Sequence, residues 1–321
     1  MQISKLIILS SVLLFSARAK AQDSIRIVDF PTQLHAFFKI NSSNNEIEIS
    51  NPNISDELNY RPNLGTNIQL GFSYSWLGLA YSIMLPADNS MNKKYGKTSG
   101  FVLEGHFMKP RIMIDVAYKR FKGFYLANPS SFITGWNNSL AYPHSADLGT
   151  SMLSFNCFYV FRPQRYSPTA AYAFTKAMRK RGGSWMLGCF GAKSFIFSDS
   201  SIVSQSIHQY VNPELDLKEM AFYEFGLSFG YSYLLTILKK NFVSFTLMPG
   251  VSVQSISQKS AIDNSINNRN AISQKTVFRV SMGRNGNNNY YGIVANGETS
   301  VVKNSSTELS FISNYFLWTP L

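Results

Sequence analysis

The sequence predicts an all-β protein, an antiparallel transmembrane β-barrel with meander topology and about twelve strands (roughly ten to fourteen). Three observations lead to this fold class. Large apolar side chains alternate with small or polar ones in about ten separate stretches, which is the period of a strand with two different faces. The chain opens with an apolar segment typical of a secretion signal. Beyond that segment no run of about 18 or more apolar residues occurs, so transmembrane helices are not predicted.

The first 21 residues predict a cleaved signal peptide. Lys5 supplies the positive charge, Leu6–Ser16 form the apolar core, and small residues precede a cleavage point after Ala21. Residues 22–321 are then predicted to form the barrel. Export followed by barrel formation predicts a location in the cell outer membrane.

Residues Asn67–Pro86 show the alternation most clearly. The rings of Phe72, Tyr74 and Trp76 alternate with glycine and serine, and a second run of the same kind follows. In a membrane barrel the apolar face contacts lipid and the small or polar face lines the lumen. The predicted strands are Gln33–Ile40, Asn67–Ser75, Gly78–Leu85, Gly100–Met108, Arg111–Phe121, Leu148–Phe161, Ser184–Phe197, Glu219–Thr236, Phe242–Ile256, Ser273–Gly283, Asn289–Asn296 and Thr307–Trp318.

The lengths of the connecting segments favour this number of strands. Outer-membrane barrels alternate long external loops with short periplasmic turns. The predicted gaps follow that rhythm only if residues 162–183 do not span the membrane. Residues 169–180 contain good helix formers and little β-branching, so residues 162–183 are predicted to be a periplasmic or plug-like element. The alternative is that part of this segment pairs as an extra hairpin, which would give about fourteen strands.

Composition weighs against other classes of protein. A secreted β-sandwich needs polar outer faces, whereas the face opposite the aromatics is mostly Gly, Ser and Thr. The net charge of +12 comes from scattered cations, and its one dense run, Lys176–Arg181, is interpreted as a solvated basic turn, so no nucleic-acid partner is predicted.

Cys157 and Cys189 lie in apolar strands with no turn that would bring them together, which favours free thiols over a disulfide.

One hairpin collects the polar residues that could form a site. The predicted lumenal cluster is Glu104, His106, Arg111, Asp115 and Lys119. A turn at Lys109–Pro110 would place Glu104 directly opposite Asp115. Opposed carboxylates beside a histidine can run acid–base chemistry or bind a metal, but barrel interiors also hold structural charge networks, and two cations would neutralise the two acids. The structural network is the favoured interpretation, and no metal, catalytic residue or cofactor is predicted.

Aromatic residues near strand ends predict the membrane interfaces, where such rings concentrate. The predicted interface residues are Trp76, Tyr118, Tyr315 and Trp318. The histidines predict no catalytic pair. His144 and Ser145 are adjacent in a predicted external loop, and adjacent loop residues cannot point at each other as base and nucleophile.

Several segments together resemble a known family. They are Tyr60–Asn63, Asn67–Pro86, Lys94–Lys97, Tyr118–Leu126 and Phe161–Phe190. In this order they are similar to domain of unknown function 4421, an uncharacterised Bacteroidetes family. The resemblance implies an outer-membrane protein of such a bacterium, and it carries no catalytic or binding residue onto this chain.

Three classes of function remain open. A structural, adhesive or partner-binding barrel is favoured, a narrow pore or small-solute transporter is the alternative, and a barrel enzyme acting on envelope lipid is the second alternative. The predicted partners are outer-membrane lipid and an envelope protein or small solute that the sequence does not identify. A monomer is predicted, with a lumen that its own charged side chains narrow.

Overall fold

The computed structural model describes residues 26–29, 34–45, 47–51, 54–65, 67–85, 87–237, 241–285, 290–303 and 311–318. The predicted signal peptide, residues 1–21, lies outside the described residues. Within these ranges, no helix is both long enough and apolar enough to cross a membrane.

Strands make up most of the described chain. They are β1 Ile27–Asp29, β2 Leu34–Asn45, β3 Ile47–Asn51, β4 Ile54–Arg61, β5 Asn67–Tyr74, β6 Leu77–Met84, β7 Ser99–Met108, β8 Ile112–Leu126, β9 His144–Val160, β10 Lys176–Met178, β11 Gly182–Phe197, β12 Leu217–Ile237, β13 Asn241–Ser260, β14 Ile266–Asn285, β15 Tyr290–Lys303 and β16 Phe311–Trp318. The helical segments are the α-helix α1 Asn89–Tyr95, a π-helical turn Thr169–Ala173, and short 3₁₀ turns at Pro129–Ser131, His208–Tyr210 and Pro213–Leu215.

Twelve of these strands form a closed ring of antiparallel pairings. The order around the ring is β8–β7–β6–β5–β2–β16–β15–β14–β13–β12–β11–β9, and β9 pairs back onto β8. Each of the twelve predicted strands overlaps one of them, so the predicted antiparallel barrel is confirmed. Two insertions interrupt the meander: the β3–β4 hairpin precedes β5, and β10, which pairs with β1, precedes β11.

The alternation predicted from sequence sets the two faces of the wall. On β12, Phe225, Leu227 and Phe229 are 59%, 55% and 51% exposed, whereas Gly226 and Ser228 between them are buried. Exposed apolar side chains recur on the outer face of β5, β6, β11, β13 and β14. Since isolated soluble domains rarely expose so continuous an apolar surface, the outside of the barrel is built to contact an apolar medium.

Outward-facing aromatic rings form two bands on one arc of the described wall, from the β5–β6 turn to β12. One band includes Trp76, Phe107, Tyr159, Phe161, Trp185, Tyr231 and Tyr233, and the other includes Tyr81, Phe101, Tyr118, Phe195 and Tyr223. On β12 the bands are eight residues apart, from Tyr223 to Tyr231. At about 3.4 Å per residue and a tilt of about 40°, this corresponds to about 20 Å of barrel height.

The two ends of the barrel differ in the length of their connections. At the short-turn end, residues 75–76 join β5 to β6 and residues 109–111 join β7 to β8. At the long-loop end, residues 127–143 and 198–216 join neighbouring strands. This is the rhythm predicted from the gaps between strand candidates.

Residues 161–181, which we call the plug, enter the lumen from the short-turn end. Tyr166, Ala170 and Ala171 are fully buried, and Phe174 and Met178 are nearly so. Their apolar neighbours come from seven strands of the wall, β8, β9 and β11–β15: Met113, Phe158, Val160, Met186, Leu234, Phe242, Met248, Val277 and Val294. Residues of this segment therefore pack inside the lumen, and within the described residues the segment adds no strand to the ring.

The first half of the basic run, Lys176–Met178, is a strand, whereas Lys180 and Arg181 at its end are exposed and lie outside any strand. Lys176–Met178 pair with β1, and Lys176 Nζ lies 2.6 Å from Asp29 Oδ1. The Arg179 amide donates to the Arg26 carbonyl, at 2.8 Å. The sequence reading missed this because β1 is only three residues long and has no periodicity to detect.

A cap closes the long-loop end. We define it as the β3–β4 hairpin, which was predicted to be loop, together with residues 198–216. Ile47, Ile49, Leu58 and Tyr60 of the hairpin are at most 1% exposed. They pack with Ile202, Val203, Ile207 and Leu215 and with the upper inner wall in one apolar cluster.

Candidate functional site, a charged belt across the lumen

The β7–β8 hairpin places His106, and not Glu104, opposite Asp115. The paired residues are His106 with Asp115 and Glu104 with Ala117, two positions away from the predicted register. The shift arises because the turn lies at Pro110–Arg111 and not at Lys109–Pro110. The Lys109 amide donates to the Ile112 carbonyl at 2.8 Å, so Met108 pairs with Met113 and not with Arg111. A shift of two residues keeps every side chain on its face, so Glu104, His106, Asp115 and Lys119 still face the lumen.

Arg111 does not belong to the lumenal cluster. Its guanidinium is exposed and donates to the Tyr159 hydroxyl, at 2.9 Å, near the outer aromatic band of the short-turn end. The predicted neutralisation of the two acids by Arg111 is therefore wrong, because this residue lies in the turn and not on the inward face of β8.

Asp115 lies between a histidine and an arginine. His106 Nδ1 is 2.7 Å from Asp115 Oδ1, and the Arg279 guanidinium donates to Asp115 Oδ2 from β14. β8 and β14 stand nearly opposite each other in the ring of twelve strands. A carboxylate and a guanidinium can meet across the lumen only where the walls come close together, so the barrel is flattened at this level.

A second set of polar contacts spans the same lumen. Glu298 on β15 accepts from Lys275 Nζ at 3.0 Å and from Asn156 Nδ2 on β9 at 2.8 Å. Glu104 accepts from Gln69 Nε2 at 2.8 Å, and His106 Nε2 lies 3.8 Å from the same carboxylate oxygen. We call the seven ionisable residues the charged belt: Glu104, His106, Asp115, Lys119, Lys275, Arg279 and Glu298.

The charged belt surrounds a small cavity of about 100 Å³. Its lining includes Lys119, Asn156 and Ser154 in addition to the carboxylates of Glu104, Asp115 and Glu298. Within the described ranges, no group of three or more His, Cys, Asp or Glu side chains is arranged to hold a metal ion. The guanidinium of Arg279 already occupies the side of Asp115 that a cation would need.

Arg279 also joins the belt to the plug. Its guanidinium lies over the Tyr172 ring, 5.7 Å from the centroid, and over the Phe158 ring, 5.2 Å from the centroid. The Tyr172 hydroxyl is 2.5 Å from Thr246 Oγ1 on β13. Because Asp115 on β8 pairs with Arg279 on β14, and Asn156 on β9 with Glu298 on β15, the belt acts as a set of cross-braces.

Polar contacts also hold the cap in place. The Tyr60 hydroxyl accepts from the Ser204 amide at 3.1 Å, and burial raises the pKa of Tyr60 above its ordinary value. Burial favours the protonated form of Asp147, but hydrogen bonds from Ser198 Oγ and the Asp199 amide outweigh it and lower the pKa.

His144 and Ser145 do not form a catalytic pair. His144 begins β9, and its Nε2 donates to the Lys97 carbonyl at 3.2 Å. Mainly because of burial, the pKa of His144 is lowered from its ordinary value. The Ser145 side chain is buried beneath the cap.

The predicted interface aromatics have different outcomes. Trp76 is 44% exposed at the short-turn end, with Lys109 Nζ over its ring at 5.6 Å. Tyr118 faces outward and contacts the ring of Phe101, at 5.8 Å between centroids. Tyr315 and Trp318 lie on β16, paired with Asn296 and Ile293, and their side chains fall outside the described set.

Sequence reasoning missed Arg279, Lys275 and Glu298 of the belt. A signal for the first two was present, because both alternate with outward apolar residues of β14 such as Phe278 and Val280. Their partners could not be found in this way, because Asp115 and Arg279 are 164 positions apart in the chain. Only the number of strands and the flattening of the ring bring them together.

These features define a class, a twelve-stranded antiparallel barrel whose lumen is filled by its own chain. The family model "Domain of unknown function (DUF4421)" matches residues 21–317. The chain belongs to this family, as the resemblance of its motifs predicted. No curated protein matches the chain.

The crystal structure of a BenF-like porin from Pseudomonas fluorescens Pf-5 is similar to this chain at a low level. The similarity covers 90% of this chain and 98% of that chain, with 9% identity and a TM-score of 0.20. A TM-score this low supports no conclusion about this chain.

Proposed function

We propose that the protein is a non-conducting outer-membrane barrel that presents its cap as a structural or partner-binding surface. The observation that carries this proposal is the closure of the lumen by apolar clusters at both ends, with cross-braced charges between them. A diffusion channel needs a continuous polar path, and the plug and the cap interrupt it twice.

The membrane location rests on the outer surface. Exposed Phe225, Leu227 and Phe229 lie between two aromatic bands that are about 20 Å apart by the geometry given above, close to the apolar band of about 25 Å expected for such barrels. The orientation follows from the connections, since short turns face the periplasm and long loops face outward in barrels of this type. The cap would then face the cell exterior.

A narrow pore is the weaker alternative. The cavity of about 100 Å³ is lined by charges that already pair with one another. Conduction would require the plug to leave and these pairs to break. An enzyme acting on lipid is weaker still, because His106 Nδ1 contacts Asp115 within the charged belt and His144 Nε2 donates to the Lys97 carbonyl.

Surface labelling tests location and orientation together. A short epitope is inserted at residues 263–264, in the turn between β13 and β14 at the long-loop end. The matched control carries the same epitope at residues 75–76, in a turn at the other end. We expect antibody to bind intact cells only for the first insertion and to bind both after the outer membrane is permeabilised. Labelling of the 75–76 insertion on intact cells, or recovery of either protein outside the outer-membrane fraction, would contradict the proposal.

A further inference from the structure

The two cysteines are neighbours in the fold although they are far apart in the sequence. Cys157 on β9 pairs directly with Cys189 on β11. The premise that no local geometry brings them together is therefore wrong. β9 and β11 become adjacent because the plug between them leaves the wall and returns to it, which no strand pattern encodes.

Both thiols lie on the outer face of the wall. On β9 the outward neighbours Phe155 and Tyr159 are exposed, and on β11 Leu187 is exposed in the same way. The two cysteines are half-exposed free thiols, and their side chains interact directly. Directly opposed residues of an antiparallel pair have Cα atoms about 4.5–5.5 Å apart, inside the range of about 4.4–6.8 Å that a disulfide spans.

We propose that Cys157 and Cys189 form a disulfide that staples the base of the plug. The inference rests on the proposed outer-membrane function, because thiols persist in the cytosol and disulfides persist in the oxidising envelope. The chain contains no other cysteine, so only one intramolecular pairing exists.

The position of the bond gives it a specific structural effect. At the short-turn end, β5–β6 and β7–β8 are held together by turns of two and three residues. β9 and β11 have no such turn, because the chain between them forms the plug. A bond between the two cysteines would close a loop that contains the whole plug and would replace the missing turn.

The chemistry is a thiol–disulfide exchange with a disulfide-carrying oxidoreductase of the envelope. The thiolate of one cysteine attacks the carrier disulfide, which forms a mixed disulfide and releases one carrier thiolate. The second cysteine thiolate then attacks the mixed disulfide and releases the other. The two cysteines lose two electrons and two protons, and the carrier gains them as a dithiol. The exchange takes place before the strands are covered by lipid.

Thiol trapping in native membranes tests the staple. Cells are quenched in acid and then denatured in the presence of N-ethylmaleimide, which alkylates free thiols. The outer-membrane protein is then digested with trypsin without reductant. We expect a linked peptide pair that joins residues 123–165 to residues 182–193, since these are the tryptic fragments that contain the two cysteines. The pair should disappear after reduction and in Cys157→Ser.

The results of this experiment distinguish a failure of the proposed disulfide from a failure of the proposed outer-membrane location. If the protein is in the outer membrane and both cysteines carry N-ethylmaleimide, the staple is wrong and the proposed function stands. If the protein is in the cytosolic fraction, the proposed function fails first.

A second measurement uses the folded barrel. We expect reductant to lower the temperature at which wild type unfolds in SDS by about 5 °C. Cys157→Ser with Cys189→Ser should unfold at the temperature of reduced wild type, with or without reductant. Equal temperatures for all samples would overturn the staple.

Discussion

The two ends of the barrel are closed in different ways. At the short-turn end, one continuous segment, residues 161–181, leaves the wall after β9, fills the lumen and returns as β11. At the long-loop end, the cap is assembled from segments far apart in the chain, and Tyr60 accepts from the Ser204 amide over a separation of 144 residues. The plug is therefore a single segment that packs directly on the wall, whereas the cap depends on contacts between two separate segments. We expect the plug to unfold with the barrel and the cap to open locally.

The largest expected effect comes from removing the ion pair between Asp115 and Arg279, which contacts the plug through Tyr172. Arg279→Ala leaves the carboxylate of Asp115 buried without its guanidinium, so we expect the free energy of unfolding to fall by about 3–5 kcal/mol. Urea unfolding in lipid vesicles, followed by tryptophan fluorescence, measures this. Adding Asp115→Asn removes the stranded charge and should recover about half of the loss. A loss below about 1 kcal/mol in Arg279→Ala would show that the pair does not brace the lumen.

A matched pair of core truncations compares plug and cap directly. Phe174→Ala in the plug should lower the free energy of global unfolding by about 3 kcal/mol, because the ring packs on Phe242 of the wall. Leu58→Ala in the cap removes a fully buried side chain but should act mainly on the cap, by about 2 kcal/mol.

Limited proteolysis distinguishes the two variants of this pair. Leu58→Ala should speed cleavage within residues 198–216 several-fold while the urea midpoint of the barrel stays near that of wild type. Phe174→Ala should shift the midpoint without exposing the cap. If both variants shift the midpoint equally, the two closures form one cooperative unit and the comparison fails.

A smaller change isolates the polar link within the cap. Tyr60→Phe keeps the buried ring and removes the oxygen that accepts from the Ser204 amide, so we expect the cap to lose about 1 kcal/mol. Hydrogen exchange of amides in residues 202–207 reports the change. Faster exchange in the plug, without a change in the cap, would run against the prediction.

The smallest effect concerns pH and is confined to the cap end. Burial lowers the pKa of His144 in the folded state, whereas in the unfolded state it lies at about 6.5. As the pH falls through 6.5, the unfolded chain binds a proton that the folded chain resists, so stability is lost toward acid. His144→Gln should make the urea midpoint less dependent on pH between about 7 and 5. An unchanged dependence would exclude His144 as its source.

The sequence was sufficient to predict the strands of the wall but not the contacts inside the lumen. Alternation predicted the twelve wall strands and the inward face of Glu104, His106, Asp115 and Lys119. It predicted a hairpin register two residues in error, because the position of the turn after Met108 is not encoded in periodicity.

The cap shows where the limit lies. Ile47 and Ile49 alternate with polar residues, but the run is too short to distinguish a strand from a loop. The sequence of this run does not indicate that the hairpin folds over the lumen. Residues 162–183 stood out in the sequence because they broke the rhythm of loop lengths, whereas the residues of the cap were missed because a long loop was already expected there.

Planar-bilayer recording of wild type tests the closed lumen most directly. The matched control replaces residues 47–60, 165–180 and 200–214 with Gly/Ser linkers, which removes the apolar parts of the plug and of both cap segments from the same wall. Insertion of folded barrels is verified for both samples by their shift in electrophoretic mobility on heating. We expect wild type to show no steady open channel and the control to conduct. A steady ohmic conductance from wild type would contradict the closed barrel.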